Sequence, residues 1–364
     1  MAKKPAAEER PSLDRLPGVP LPQESPFLFG HEEAEQQLLT AYRGNRLHHG
    51  LLLSGPVGVG KATLAFRLAK FLLAHPDRAA PDLAEITDLS IPANHALHRR
   101  VGEGGHPNVL HLQRPWDDKR KTFKTVISVE TIRRIVPFLG TTAGEGAWRI
   151  VIVDGAEEMN RSAANALLKG LEEPPQATVF VLVTSRPGQL LPTIRSRCRS
   201  FHLGALDEAA IARVFEKVGA EKPSGGDLAT VAVLAGGSAR RALELASGNG
   251  LGLYRAIARA FAATDHASMQ AVAEQAAAAR GAAWAEFSDL VGGYLDRRVR
   301  RLPEPEEGAS PPSLPLARWA ELWEKVARRS AEVETFNLDR RQFVLNVFET
   351  VAEAARHPHR PIFM

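Results

Sequence analysis

Apolar positions along this chain fall into two regimes. From Pro26 to about Leu203, short unbroken apolar runs alternate with stretches where apolar residues return every three or four positions, the pattern of strands and helices wound around a parallel sheet. Leu51-Leu52-Leu53-Ser54, Arg149-Ile150-Val151-Ile152-Val153 and Val179-Phe180-Val181-Leu182-Val183 lack polar alternation, so they are expected to be strands buried on both faces. After Gly204 such runs stop, and alanine, leucine, glutamate and arginine at helical spacing take over. Asp207-Glu208 opens a helix predicted to reach about Val218, with its acids at the end the helix dipole favours. The loop Glu221 to Gly226 breaks it, a second helix follows to Ala235, and Gly236-Gly237-Ser238 precedes a third over Ala239 to Ala246. From about Leu251 to Phe348 the helical spacing continues, interrupted by a proline-rich loop over 303–315. Residues 1–25 are also rich in proline and have little periodic apolar content, which predicts an arm without fixed structure. The expected divisions are therefore the arm 1–25, an α/β domain 26–204, a small helical subdomain 205–249 and an all-helical domain 250–364.

Composition narrows the class without naming it. At 364 residues, 44% hydrophobic and 24% charged, the chain is long enough for two or three folded domains, and collagen-like or wholly disordered readings are excluded. No apolar run approaches the roughly 20 residues needed to cross a bilayer, and the start MAKKPAAEERP has no apolar core of a signal peptide, so no membrane association is expected. Cys198 is the only cysteine, which removes an intramolecular disulfide or a multi-cysteine zinc module and fits a reducing, cytoplasmic compartment. The formal charge of +4 permits contact with nucleic acid but is too small to require it. The main basic runs, Asp117 to Lys124 and Arg297 to Arg301, read by default as solvated faces.

The strongest chemical signal follows the Leu51 strand. Gly55-Pro56-Val57-Gly58-Val59-Gly60-Lys61-Ala62-Thr63 leads into an alanine- and leucine-rich helix, giving strand, glycine loop and helix in that order. Gly55, Gly58 and Gly60 let the backbone wrap a phosphate with its N–H groups inward, the helix start adds partial positive charge, and Lys61 reaches the terminal phosphates. The complete motif has Ser or Thr after the lysine to ligate magnesium, whereas this chain has Ala62. Thr63 lies one residue on, turned by about 100° around the helix, and does not cleanly replace it. The second strand delivers Asp154 to the sheet edge that faces such a crevice. The glutamate that usually follows that aspartate in hydrolysing relatives is replaced by Gly155. Glu157 and Glu158 are read as solvated acids at the start of the next helix. Both departures predict a fold that holds ATP with weak or no hydrolysis and that lacks its usual magnesium ligand.

A further segment carries the family resemblance. Asn165-Ala166-Leu167-Leu168-Lys169-Gly170-Leu171-Glu172-Glu173-Pro174-Pro175 is an amphipathic helix stopped by two prolines, and Ser196-Arg197-Cys198 follows the third strand. With Phe29-Gly30-His31, Arg46-Leu47-His48-His49-Gly50, the phosphate loop and the acidic strand, these motifs resemble the AAA+ clamp-loader subunits of bacterial DNA polymerase III over roughly residues 27–203. Ala62, the Asp154-Gly155 pair and the single cysteine are similar to the delta-prime branch rather than to the gamma/tau motor branch, which has an intact loop, an Asp-Glu pair and four zinc-binding cysteines. The resemblance implies an AAA+ P-loop parallel-sheet domain with a small helical lid and an all-helical C-terminal collar. It gives Arg197 the role of an arginine finger acting in trans, Thr184 that of a phosphate sensor, and Arg240 a place near the nucleotide in the second-sensor helix. Arg241 stands where the motor branch usually has an acid. The implied partners are the gamma/tau and delta subunits, primer-template DNA through the assembled complex, and the sliding clamp indirectly. His95, His98, His106 and His111 remain in the zinc-module region and are read as ordinary loop histidines, with no zinc expected. Three function classes compete: a rigid subunit that positions partners and donates Arg197, an active AAA+ ATPase using Thr63 and Glu157, and a small-molecule kinase. The helical C-terminal half and the LEEPP and Ser-Arg-Cys segments speak against the kinase.

Overall fold

The computed structural model describes residues 12–140, 148–263, 265–279, 281–302, 305, 312–336 and 338–357. They form two compact units, one from the chain up to residue 220 together with 237–240, the other from residues 221–236 and 241 onward.

The first unit is built on five parallel strands: β1 (Gly50–Ser54), β2 (Val109–Leu112), β5 (Arg149–Asp154), β6 (Thr178–Thr184) and β7 (Arg199–His202), in the order β2-β5-β6-β1-β7. β3 (Trp116–Asp117) and β4 (Thr122–Phe123) form a separate antiparallel hairpin. The unbroken apolar runs explain the sheet directly, because successive side chains point to opposite faces and both faces are covered. Leu51, Leu53, Ile150, Ile152, Val179 and Val181 pack with the helices Glu32–Arg43 and Lys61–Ala74. Leu52, Val151, Val153, Phe180 and Leu182 pack with Arg161–Glu172 and the short helices Val129–Arg133 and Pro192–Arg195.

The helix Arg161–Glu172 shows how local sequence sets its limits. The Asn160 side chain accepts the Ala163 N–H at 2.8 Å, closing the N-terminus. Ala163, Ala164, Leu167 and Leu171 are buried at helical spacing. At the other end Pro174 pushes Glu173 out of helical backbone, to φ −131° and ψ 66°.

Residues 12–25 correct the expectation of an unstructured arm. Leu16 and Val19 pair in an isolated bridge, Leu21 is buried, and Lys70 Nζ donates to the Ser25 carbonyl at 2.9 Å. The segment has no periodicity because it forms no element of its own; single side-chain and backbone contacts hold it. The rest of the expected arm, residues 1–11, lies outside the described residues.

In the second unit every described element is a helix: Asp227–Ala235, Ala239–Ser247 from Arg241 onward, Gly250–Ala263, His266–Ala278, Ala282–Arg300, Leu316–Phe336 and Arg340–Arg356. Stacked and tilted rings form its centre. Phe261 lies 4.5 Å from Tyr294 and 4.7 Å from Phe348, and Trp284 lies 5.7 Å from Phe287. The proline-rich interruption falls mostly outside the described residues. The basic run 297–301 is not the solvated face expected of it. Arg297 is buried and donates to the Val233 carbonyl at 3.4 Å, Arg298 covers the Tyr294 ring at 4.7 Å, and Arg300 pairs with Asp296 at 2.9 Å. Helical spacing turned two of these arginines toward the unit's own side chains. No described helix is long and apolar enough to cross a membrane.

Candidate functional site

The loop 55–60 leaves β1 at its C-terminal edge and ends at Gly60, the residue before the helix Lys61–Ala74. Gly58 has φ +76°, and a Cβ there would lie 2.3 Å from Ser238 Oγ and 2.7 Å from Arg240 Cβ. The Arg240 N–H also donates to the Gly58 carbonyl at 3.2 Å, so the segment 238–240 rests directly on the glycine loop. His31 closes another side of the loop, its Nε2 lying 2.7 Å from the Val59 carbonyl. Lys61 is buried, with 7% of its surface exposed, and its Nζ donates to the carbonyls of Gly55, at 2.9 Å, and of Pro56. Burial lowers its pKa, against the opposing pull of Asp154 and Glu157. Ala62 and Thr63 follow on the helix, both partly exposed.

Asp154 ends β5 on the same edge of the sheet, with His111 Nε2 of β2 3.8 Å from its Oδ2. Thr184 ends β6 in register with Ser54 and is buried; its Oγ1 accepts the Arg186 N–H at 3.1 Å. The structure thus brings Gly55, Gly58, Gly60, Lys61, Asp154, Thr184 and Arg240 to one sheet edge. Gly155 departs from the motif in backbone as well as identity. Its φ is +73°, and a Cβ there would lie 2.7 Å from Glu158 Oε2.

Glu157 is not the solvated helix-start acid it was read as. It sits in a single turn of tight helix, Ala156–Glu158, and its Oε1 accepts both the N–H of Ser185 at 2.8 Å and its hydroxyl at 2.6 Å. Burial works to raise its pKa, but the bonds from Ser185, from its own backbone and from Thr184 outweigh that and hold it below the usual carboxylate range. Glu158 pairs with Arg114 at 2.9 Å, and burial leaves its carboxyl raised.

Asp14 gave no sequence signal, yet it reaches this edge. Its Oδ1 lies 3.5 Å from Arg240 Nη1. Burial raises its pKa, Asp154 raises it further, and Arg240 and His111 pull the other way. Arg241, the next residue after Arg240, belongs to the second unit and lies 3.8 Å from Asp289.

Arg197 is elsewhere. β7 runs parallel to β1 with Arg199 opposite Leu51, so Arg197 precedes the sheet's N-terminal edge while the glycine loop leaves its C-terminal edge. At 3.3 Å per residue these sites are roughly 15–20 Å apart. Arg197 is 37% exposed, and its guanidinium pairs with Glu172 at 2.9 Å and donates to the Thr193 carbonyl at 3.1 Å. Cys198 is partly buried against the sheet, and burial pushes its thiol up to about 11.

Two of the four histidines lie in elements rather than loops, His98 in the helix Ala96–Gly102 beside Lys70 and His111 in β2. His95 and His106 are loop residues as expected, accepting the N–H groups of Leu97 and Asn108. Among the described residues no group of three or more His, Cys, Asp or Glu is placed to hold a metal. With Ala62 where a hydroxyl would stand, the loop lacks the side-chain ligand that would hold magnesium beside a phosphate.

Residues 30–207 match the family described as DNA polymerase III, delta subunit. The chain is 38% identical over 165 residues to the DNA polymerase III delta-prime subunit of Pseudomonas aeruginosa, covering 45% of this chain and 46% of that protein. It is 31% identical to the Escherichia coli delta-prime subunit, covering 46% of each. The Escherichia coli tau subunit is 30% identical over 298 residues, covering 75% of this chain and 44% of tau. The chain thus spans about half the length of the curated relatives it matches. Among solved structures, a gamma subunit-related protein of Thermotoga maritima aligns at 19% identity and a TM-score of 0.40, covering 88% of this chain and all of that one.

Proposed function

From residues 30–207, which are those of a DNA polymerase III clamp-loader subunit of the delta-prime family, we propose that this chain acts as a rigid positioning subunit of the loader. In this reading it binds a nucleotide phosphate in the loop 55–61 with little or no turnover. It offers Arg197 to the ATP site of a neighbouring gamma/tau-type subunit, and it meets the delta subunit and primer-template DNA within the assembly. The expected divisions at 204 and 249, with the last as a collar, belong to the same proposal.

The observation that carries it is the position of Arg197 relative to the chain's own loop. A guanidinium at the opposite edge of the sheet cannot reach a phosphate held by Lys61 of the same molecule. It is exposed and charged, and its fork suits a transferring phosphoryl group on a second molecule. Glu172, from the LEEPP segment, holds it until such a partner arrives.

The chain's own site supports weak turnover in two ways. Ala62 supplies no hydroxyl, and Gly155 supplies no base. One observation favours the alternative of an active ATPase: Glu157 lies within electrostatic reach of Lys61. Its Oε1 is bonded to Ser185 and its pKa is held below the usual carboxylate range, which leaves a poor base.

The test is Arg197→Ala in a reconstituted loader. ATP turnover of the complex is expected to fall at least about twofold with assembly intact by gel filtration, since one arginine finger contributes on the order of 10³ or more at its own site. Unchanged turnover would refute the trans role, and lost assembly would make Arg197 an interface residue instead. Turnover by the isolated chain, abolished in both Lys61→Ala and Glu157→Gln, would establish the motor reading.

A further inference from the structure

The segment 12–25 brings a carboxylate to the one edge of the sheet where a bound phosphate would place its own negative charge. Asp14 is paired with Arg240 at 3.5 Å, and Arg240 is fixed at its backbone to the Gly58 carbonyl. The guanidinium that starts from the glycine loop is therefore engaged by Asp14. On its other sides Asp14 faces Asp154 and His111, and Asp154 is itself within reach of Lys61. Two carboxylates and two cations thus frame the loop, and a phosphate entering beside Lys61 would meet Asp14 as a like charge.

The contact is built. Leu21 is buried seven residues downstream, and the Leu16–Val19 bridge turns the chain between them. The Lys70 ammonium holds the Ser25 carbonyl from inside the same helix that begins at Lys61. One helix therefore carries the phosphate lysine at its start and the anchor of the Asp14 segment nine residues on.

We propose that Asp14 is a built-in competitor of the nucleotide: its carboxylate stands in for a phosphate at Arg240 and must be displaced before Arg240 can engage a bound nucleoside triphosphate. This rests on the reading of residues 55–61 as a nucleotide phosphate loop. The pair is only partly buried, with Asp14 35% and Arg240 28% exposed, so removing the carboxylate should tighten binding by about fivefold rather than by orders of magnitude.

The experiment measures binding of a fluorescent ATP analogue by anisotropy to the full chain, to Asp14→Asn, to Arg240→Ala, to Lys61→Ala and to the double variant Asp14→Asn/Arg240→Ala. Asparagine keeps the size and removes the charge. The expected result is a Kd about fivefold lower for Asp14→Asn, with the gain lost in the double variant. Equal or weaker binding by Asp14→Asn, or a gain that survives Arg240→Ala, overturns the competitor. If neither the full chain nor Asp14→Asn binds, the competitor is also overturned, because removing it has opened nothing. If Lys61→Ala binds as well as the full chain, the phosphate-loop reading itself fails, and that outcome is distinct from a failure confined to Asp14. A second readout uses the full chain alone: saturating ATP should speed trypsin cleavage after Arg15, and protection of that bond would contradict displacement.

Discussion

A side chain at position 155 would have to begin from left-handed backbone, at φ +73°, with its Cβ 2.7 Å from a carboxylate oxygen of Glu158. The turn after β5 therefore holds a backbone conformation that favours glycine over glutamate at this position. Gly155→Glu should lower stability by about 1–2 kcal/mol through left-handed strain and the crowding of two acids, with no gain of ATP hydrolysis. Thermal melting and a phosphate-release assay on the same sample would check both parts. Hydrolysis gained without loss of stability would contradict the account. At this scale the sequence was informative about identities and silent about surroundings. Lys61 and Asp154 were legible because motif spacing and a strand end place them, and Thr184 was legible through the family resemblance alone. Asp14 was not, since nothing local marks an acid in a non-periodic segment as bound for a phosphate loop 40 residues away. Glu157 was misread for a related reason: position alone gave a helix-start acid, and Ser185 binds it only once β6 has packed beside β5.

Among the elements, the helix Lys61–Ala74 carries most of the first unit's organisation. Its apolar face fills one side of the sheet, and Lys70, 2% exposed, ties it to Ser25. Burial lowers Lys70 to about 8 from its ordinary 10.5, with Arg67 adding to the effect. Between those values the unfolded chain binds a proton that the folded chain does not, so stability should rise as pH climbs from about 8 toward 10.5. The full penalty on the charged form is on the order of 3 kcal/mol and is present below pH 8. Lys70→Met should abolish the rise, as read from urea midpoints at pH 7.5 and 10, and a rise that persisted would assign it to another group. The strands β1, β5 and β6 were fully legible because a doubly buried strand needs an unbroken apolar run. Strands β2 and β7 were not, because Val109-Leu110-His111-Leu112 and Arg199-Ser200-Phe201-His202 carry polar residues and lean on their neighbours for register. The basic stretch after Asp117 became a hairpin, with Trp116 packed edge-on to Phe123 at 5.0 Å and the Asp117 carboxylate accepting the N–H groups of Lys119 and Arg120. Charge pattern alone could not distinguish that turn from a flat solvated face.

For the molecule as a whole, hydrogen exchange should be slowest in β1, β5 and β6, where both faces of the sheet are buried, and faster in β7, whose residues are mostly exposed. Comparable exchange in β7 and β6 would contradict the layered core. The change from strands and helices to helices alone was legible from the change in apolar spacing near residue 204, although the first compact unit runs on to residue 220. The trace of residues 221–240 between the two compact units was not, since a helix that changes company at Arg241 keeps an unbroken period.

The parallel pairing of β1 with β7 gives the α/β unit a head and a tail. Whatever Arg197 serves must dock on one end of the sheet, and whatever might serve this chain's own loop must dock on the other. Contacts of that kind are directional: identical ends never meet, and successive copies can only queue. On the reading proposed for Arg197, a member with a finger at one end and a weakened loop at the other would not exchange freely along such a queue and would take its place at one terminus.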